Sequence, residues 1–325
     1  MARTSYGPKW SAWAAGLALV VGACASGASP HSTPSATRSP VASQSSPVAQ
    51  FPVTVVDDDE VSVTIRSRPQ RLVTFAPSNT EIVFALGLRS ELVGVSGSFD
   101  NYPPEAKTIE QVGGSGEFGV DPNAEKVVAL HPDLMLTIAG GDQWKKRLRD
   151  LGVVVFTINA TDLSDLLGDI LTVGKITGAT EQASSLVKHM ASDEAAIEGE
   201  VSSEAPVPCF FEAYYPPLTT IGPHTFIFDL LERAGCSPVS AGAKSDYPEW
   251  SVDALVANSP RVYLVASESG VSPEAVAKRP GFSAIDAVAG GRIYLVDSDL
   301  ISRPGPRVID GLRSLAEILH PGSVP

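Results

Sequence analysis

The sequence predicts an α/β protein of two related lobes joined by one long helix, with a ligand cleft between the lobes. The first reason is "RLVTFAPSNTEIVFALGL" (71–88), where a strand runs straight into a helix. Leu72, Val73 and Phe75 favour strand, Pro77-Ser78-Asn79-Thr80-Glu81 ends it, and Ile82, Val83, Ala85 and Leu86 keep helical spacing up to Gly87. The second reason is internal repetition. "RLVTFAPSN" (71–79) aligns with "PLTTIGPHT" (217–225) through Leu72/Leu218, Thr74/Thr220 and Pro77/Pro223. "EKVVALHPDLML" (125–136) aligns with "DALVANSPRVYL" (253–264) through Glu125/Asp253, Val128/Val256, Ala129/Ala257, Pro132/Pro260 and Leu136/Leu264. In this second pair a helix stops before an X-Pro, because proline disfavours helix in the residue before it, and a β-run follows. The third reason lies between the repeats, at 163–199. Apolar residues at 163, 166, 167, 170, 171, 186, 187 and 190 have helical spacing there. Thr161 or Ser164 can cap that helix, and Gly174 and Gly178 can kink it. A helix of about thirty residues is roughly 45 Å long.

Ahead of the lobes, Arg3 and Lys9 precede the apolar stretch "WSAWAAGLALVVGA" (10–23), which reads as an export signal too short for a comfortable membrane span. Val21-Gly22-Ala23-Cys24 resembles a bacterial lipobox, which makes 1–23 a lipoprotein signal peptide and Cys24 an acylated anchor. Residues 24–50 are almost wholly Ala, Ser, Thr and Pro, with too little apolar area to offset chain entropy, and are expected to form a disordered tether. The first lobe is expected over 51–162 and the second over 200–325. This arrangement places the folded part at the outer face of the cytoplasmic membrane, attached through lipid only.

The formal net charge is −13, and losing Arg3 and Lys9 with the signal takes it to about −15. With no basic run left, nucleic acid and anionic membrane surfaces are excluded as partners. Cys209 and Cys236 are the remaining cysteines, and outside the cytoplasm they are candidates for a disulfide. The histidines (31, 131, 189, 224, 320) lack the spacing of a zinc site, and no nucleophile-elbow or P-loop motif occurs. "GSGEFG" (114–119) lacks a strong preceding β-run and reads as a glycine loop rather than a dinucleotide fingerprint. "DDDE" (57–60), between "FPVTVV" and "VSVTI", reads as a hairpin turn. No catalytic residue, metal site or cofactor is expected.

Six segments together resemble the helical-backbone (class III) solute-binding lipoproteins of ABC importers, which serve vitamin B12, ferric siderophores and haem. They are "PQRLVTFAPSNTEIVFALGL", "LVGVSG…YPPEAKTIEQVGG", "PNAEKVVALHPDLML", "TTIGPHTFIFDLLERAG", "YPEWSVDALV…SPRVYLV" and "GRIYLVDSDLISRPGPR", in this order behind the lipobox and over nearly all of 51–320. The resemblance implies Rossmann-like lobes, a monomer, and partners consisting of a permease dimer with its ATPase and a small-molecule metal chelate. Ser78-Asn79 and His224-Thr225 are then expected to open onto the cleft, where free helix N–H groups suit amide or carboxylate oxygens. Tyr102 in "NYPPEAK" matches a tyrosine of the vitamin B12 pocket, Tyr247 falls where that group has a pocket tryptophan with Trp250 three residues on, and Arg303 falls at the mouth of the second lobe. Glu125 and Asp253, one per lobe, match the acids that dock onto permease arginines. The chain departs from vitamin B12 binders at 115–118 ("SGEF") and at Ile138-Ala139, where they carry aromatics and a Trp-Arg pair. A corrinoid is the expected ligand, with a ferric siderophore or haem as the alternative. A ligand-sensing signalling lipoprotein and an exported carboxylate-dependent enzyme are the readings from other classes.

Overall fold

The computed structural model describes residues 50–113 and 121–323, so the leader, Cys24, the tether and the 114–119 loop with Phe118 lie outside the described residues. The chain opens with a hairpin of β1 (Val53–Val56) and β2 (Ser62–Ile65), turned by the expected "DDDE" segment. The first lobe then runs β3 (Leu72–Phe75), α1 (Pro77–Ala85), β4 (Leu92–Val95), β5 (Glu110–Gln111), α2 (Ala124–Ala129), β6 (Leu134–Thr137), α3 (Asp142–Asp150) and β7 (Val155–Thr157). Its strands form a parallel sheet in the order β5-β4-β3-β6-β7.

Two helices follow, α4 (Leu163–Thr177) and α5 (Thr180–Val201). The second lobe runs β8 (Val207–Glu212), α6 (Phe226–Arg233), β9 (Cys236–Pro238), α7 (Val252–Asn258), β10 (Val262–Ala266), α8 (Pro273–Ala277), α9 (Asp286–Ala289), β11 (Ile293–Val296), α10 (Ser298–Ile301) and α11 (Val308–Leu319). Its parallel sheet has the order β11-β10-β8-β9. Taken in chain order, β3, β4, β6 and β7 and then β8, β9, β10 and β11 are arranged identically, so the lobes repeat one topology.

Alternation along the central strands explains the layers. Leu72, Leu134, Leu136, Cys209, Phe211, Val262 and Leu264 face one core that runs through both lobes and includes Leu166, Ile170, Val173, Met190, Ile197 and Leu312 of α4, α5 and α11. Val73, Phe75 and Met135 point the other way into a core of the first lobe. Phe210, Tyr263 and Val265 do the same in the second. Strands buried on both faces need such unbroken apolar runs, and each buried Leu or Phe contributes about 1.5–3 kcal/mol.

Three expectations are corrected. The second repeat holds, since α2–β6 and α7–β10 occupy matching places. The first holds only in part, because the central strand of the second lobe is β8 and the segment 217–222 lies outside the sheet. Thr219 there bridges Tyr214 and Glu249 instead. The 163–199 helix is two helices: Gly178 takes φ 75°, a left-handed cap that ends α4. A side chain at Gly174 would meet the Ala183 Cβ at 2.3 Å, so α4 and α5 approach closely at the break. Their cap is also different, as Asp162, rather than Thr161 or Ser164, accepts from the Asp165 N–H at 2.8 Å. At 22 residues α5 is roughly 33 Å long.

The Cys209–Cys236 disulfide forms between neighbouring strands β8 and β9, with Cα atoms 5.8 Å apart. Among the described residues no helix is long and apolar enough to cross a membrane, and no group of His, Cys, Asp and Glu is arranged to hold a metal ion.

The hairpin turn is docked on the first lobe rather than solvated. Lys145, fully buried on α3, donates to Asp59 at 2.7 Å and to the Thr157 hydroxyl at 3.1 Å. Burial raises the Asp59 carboxyl, but the Lys145 and Thr157 hydrogen bonds outweigh it and hold the group low. On the α4 side, burial together with the Asp58 and Asp165 carboxylates pushes Asp169 up to about 8, and its Oδ2 has no partner. A carboxyl held above its ordinary 3.8 in the folded state withdraws stability as pH rises from there through about 8. Asp169→Asn is therefore expected to stabilise the protein at pH 8 by about 1–3 kcal/mol, with the gain shrinking by pH 5, in urea melts at both pH values.

Candidate ligand-binding site

The carboxyl ends of parallel strands are where an α/β sheet presents ligands, and here those ends carry exposed apolar side chains. Phe99 (57% exposed) and Tyr102 (44%) follow β4, Ile138 (46%) follows β6, Tyr214 (59%) follows β8 and Tyr247 (63%) follows β9. The β4 loop is folded around buried Asp100, which accepts from Thr80 of α1, from the Ser96 hydroxyl and from the Gly97 N–H. This fixes the base of Asn101 and Tyr102 to the start of α1.

On α1, Ser78 and Asn79 are buried and neither caps the helix, whose N-cap is Ala76. Both polar side-chain atoms of Asn79, 1% exposed, lack a hydrogen-bond partner. The Thr137 hydroxyl, at the end of β6, is likewise buried and unpartnered. Leaving a buried amide unpaired costs about 1–3 kcal/mol.

In the second lobe, the displaced segment 217–222 runs between Tyr214 and the 246–250 loop, held by Trp250 N–H to Leu218 O at 2.8 Å and Gly222 N–H to Asp246 O at 2.8 Å. Tyr247 stands out from this layer. Trp250 is half-buried against Phe210, with ring centres 6.5 Å apart and its indole N–H unpartnered. His224 is exposed immediately before the α6 cap, Thr225. Tyr215 stacks on the Arg279 guanidinium at 3.8 Å. Arg279 grips Glu212, the last residue of β8, through both oxygens, and Tyr263 donates to the same carboxylate. Burial and the Glu212 carboxylate raise the Tyr263 hydroxyl, which keeps it a donor.

Arg303 is paired rather than free. It pairs with Asp299, donates to Asn101 Oδ1 at 2.7 Å, and lies 3.8 Å from Glu81. Asn101 in turn donates to Asp299 at 2.8 Å. Arg307 binds Glu81 through two hydrogen bonds, of 2.9 and 2.6 Å. Glu81, Asn101 and Arg307 were invisible as site residues in the sequence, because their partners lie about two hundred positions away. Asp299, four residues before Arg303, was legible as its salt-bridge partner. Glu125 and Asp253 are exposed in equivalent first turns, two residues after the caps Asn123 and Ser251, and far from this network in chain and element.

A model of the periplasmic binding protein family matches residues 72–300. YvrC of Bacillus subtilis, an uncharacterized ABC transporter substrate-binding lipoprotein, is 36% identical over 280 residues, which cover 83% of this chain and 86% of YvrC. A cobalamin-binding protein of Halobacterium salinarum is 30% identical over 285 residues, covering 83% and 74% of the two chains. The crystal structure of the periplasmic vitamin B12 binding protein BtuF of Vibrio cholerae shares the fold, with a TM-score of 0.66 at 22% identity over 78% of this chain and 97% of that one.

Proposed function

The chain belongs to the periplasmic binding protein family, as the solute-binding protein of an ABC importer, and we propose from this premise that its ligand is a corrinoid held between the lobes. The observation that carries the proposal is the charge state of the cleft. Arg279, Arg303 and Arg307 each already face a carboxylate, Glu212, Asp299 and Glu81 respectively. The Asn79 amide, by contrast, has no partner. Neutralised arginines offer little to the anionic oxygens of a ferric siderophore or to haem propionates. A corrinoid is a broad ring edged with neutral amides. Such a ring suits exposed aromatic platforms such as Tyr102 and Tyr247. The cobalamin-binding relative supports the same choice.

The test is a titration with cyanocobalamin, haemin and a panel of ferric siderophores, followed by calorimetry and by Trp144 and Trp250 fluorescence. Saturable one-to-one binding of cyanocobalamin alone is expected, and preference for haemin or a ferric chelate would refute the corrinoid. Tyr102→Ala is expected to weaken binding about tenfold or more, by removing a platform worth about 1–2 kcal/mol. Asn79→Ala separates function from folding. It is expected to weaken binding while raising the stability of the empty protein by about 1 kcal/mol, since it deletes an unsatisfied buried group. Loss of stability in Asn79→Ala would instead make Asn79 a structural residue.

The lipid anchor at Cys24 and docking of Glu125 and Asp253 on permease arginines belong to the same proposal. Two acids at matched helix starts, one per lobe, would set register and speed encounter. Charge reversal at both is expected to abolish uptake with ligand affinity unchanged. Retained uptake would remove the docking role. Cys24→Ser is expected to release the protein from the membrane fraction.

A further inference from the structure

The lobes are bridged by an ionic contact between residues far apart in the chain. Glu81, 3% exposed on α1, accepts two hydrogen bonds from Arg307, which lies in the second lobe between α10 and α11. The same guanidinium lies 4.1 Å from the centre of the Tyr102 ring. One side chain of the second lobe therefore satisfies a buried carboxylate and covers an aromatic face, both belonging to the first.

We propose that Arg307 is a positioning residue for the ligand platform: Glu81 draws it across the cleft, and its guanidinium fixes the plane of Tyr102 before ligand arrives. The proposal rests on Tyr102 being that platform, and deepens it. Without Arg307 the buried Glu81 keeps only Arg303, at 3.8 Å and beyond hydrogen-bond reach, so the lobes are expected to part far enough to hydrate it. Tyr102 is 44% exposed, and a ring so placed loses rotamer freedom on binding unless something already holds it. A planar guanidinium both stacks on a ring and grips a carboxylate through two donors, whereas lysine offers a point charge to the carboxylate alone. Arg307→Lys therefore keeps the bridge and loses the stack, while Arg307→Gln loses both.

The experiment uses the full chain in a Cys24→Ser background, with spin labels at Lys146→Cys in the first lobe and Glu274→Cys in the second, both exposed positions. Double electron–electron resonance without ligand is expected to give one narrow distance distribution in the otherwise native chain and in Arg307→Lys. Arg307→Gln and Glu81→Gln are expected to give a longer, broader one. In 3-fluorotyrosine protein, the Tyr102 resonance, assigned by Tyr102→Phe, is expected to shift and broaden in both Arg307 variants. Cyanocobalamin affinity is expected to fall about tenfold in Arg307→Lys and further in Arg307→Gln. An unchanged distance distribution in Arg307→Gln overturns the bridge. An unchanged Tyr102 resonance in Arg307→Lys overturns the positioning role. Neither readout needs a ligand, so silence of the native protein toward cyanocobalamin would count against the corrinoid alone.

Discussion

Lys145→Met is expected to lower the unfolding free energy by about 3–5 kcal/mol, because it keeps the buried stem but leaves the docked turn without its cation. The Lys145 side chain is fully buried, and Asp59 and the Thr157 hydroxyl are its partners. Asp57 at the same turn is equally buried, accepting from the Thr157 N–H and lying 3.5 Å from Arg149. Removing the ammonium strands Asp59 beside Asp57 and Asp58. Urea unfolding of Lys145→Met measures the loss. A loss under about 1 kcal/mol would mean that the turn swings out and rehydrates, as a surface pair would. Lys145→Met with Asp59→Leu is expected to recover most of the loss, since replacing both partners of a buried pair by apolar groups is often neutral. Ligand affinity is expected to hold in both variants, because the turn's partners, Lys145, Arg149 and Thr157, are none of the candidate ligand residues.

Cys209→Ala with Cys236→Ala is expected to cost about 3–4 kcal/mol, from the loop of 27 residues that the bridge closes in the unfolded chain. Both sulfurs are buried and packed in the main core, so the vacated space adds to the loss. Reductant should lower the unfolding midpoint of the native protein toward that of the double variant and leave the variant unmoved. Equal midpoints with and without reductant in the native protein would overturn the disulfide's contribution. The bridge sits in the first half of β8 and at the start of β9, away from the carboxyl ends that carry Tyr214 and Tyr247. Ligand affinity is therefore expected to survive its loss.

Candidate site residues were legible in the sequence where the repeat or the family resemblance marks a position. Tyr102 and Tyr247, expected from the family resemblance, are exposed after β4 and β9. Glu125 and Asp253, expected from the repeat and the resemblance, lie in matching first helical turns. Arg303 and its local partner Asp299 were legible together, but its contacts with Asn101 and Glu81 were not, because these reach it only after the lobes fold together. The 217–222 segment misled because Leu-x-Thr spacing marks a β-former without saying which of two neighbouring β-formers enters the sheet.

By itself, the sequence determined the alternation that buries each strand on two faces, the repeat of helix, X-Pro and strand in both lobes, and the cysteine pair. These are local or near-local properties, set by side-chain period, proline sterics and composition. Tertiary structure alone decided that α4 and α5 part at Gly178, where a left-handed turn and the contact of Gly174 with Ala183 outweigh helical continuity. It alone decided that Glu81 meets Arg307 and that Asn79 is left without a partner. Burial in a low-dielectric interior makes the choice of partner decisive for a charge or an amide, and partners two hundred residues apart are chosen only when the lobes come together.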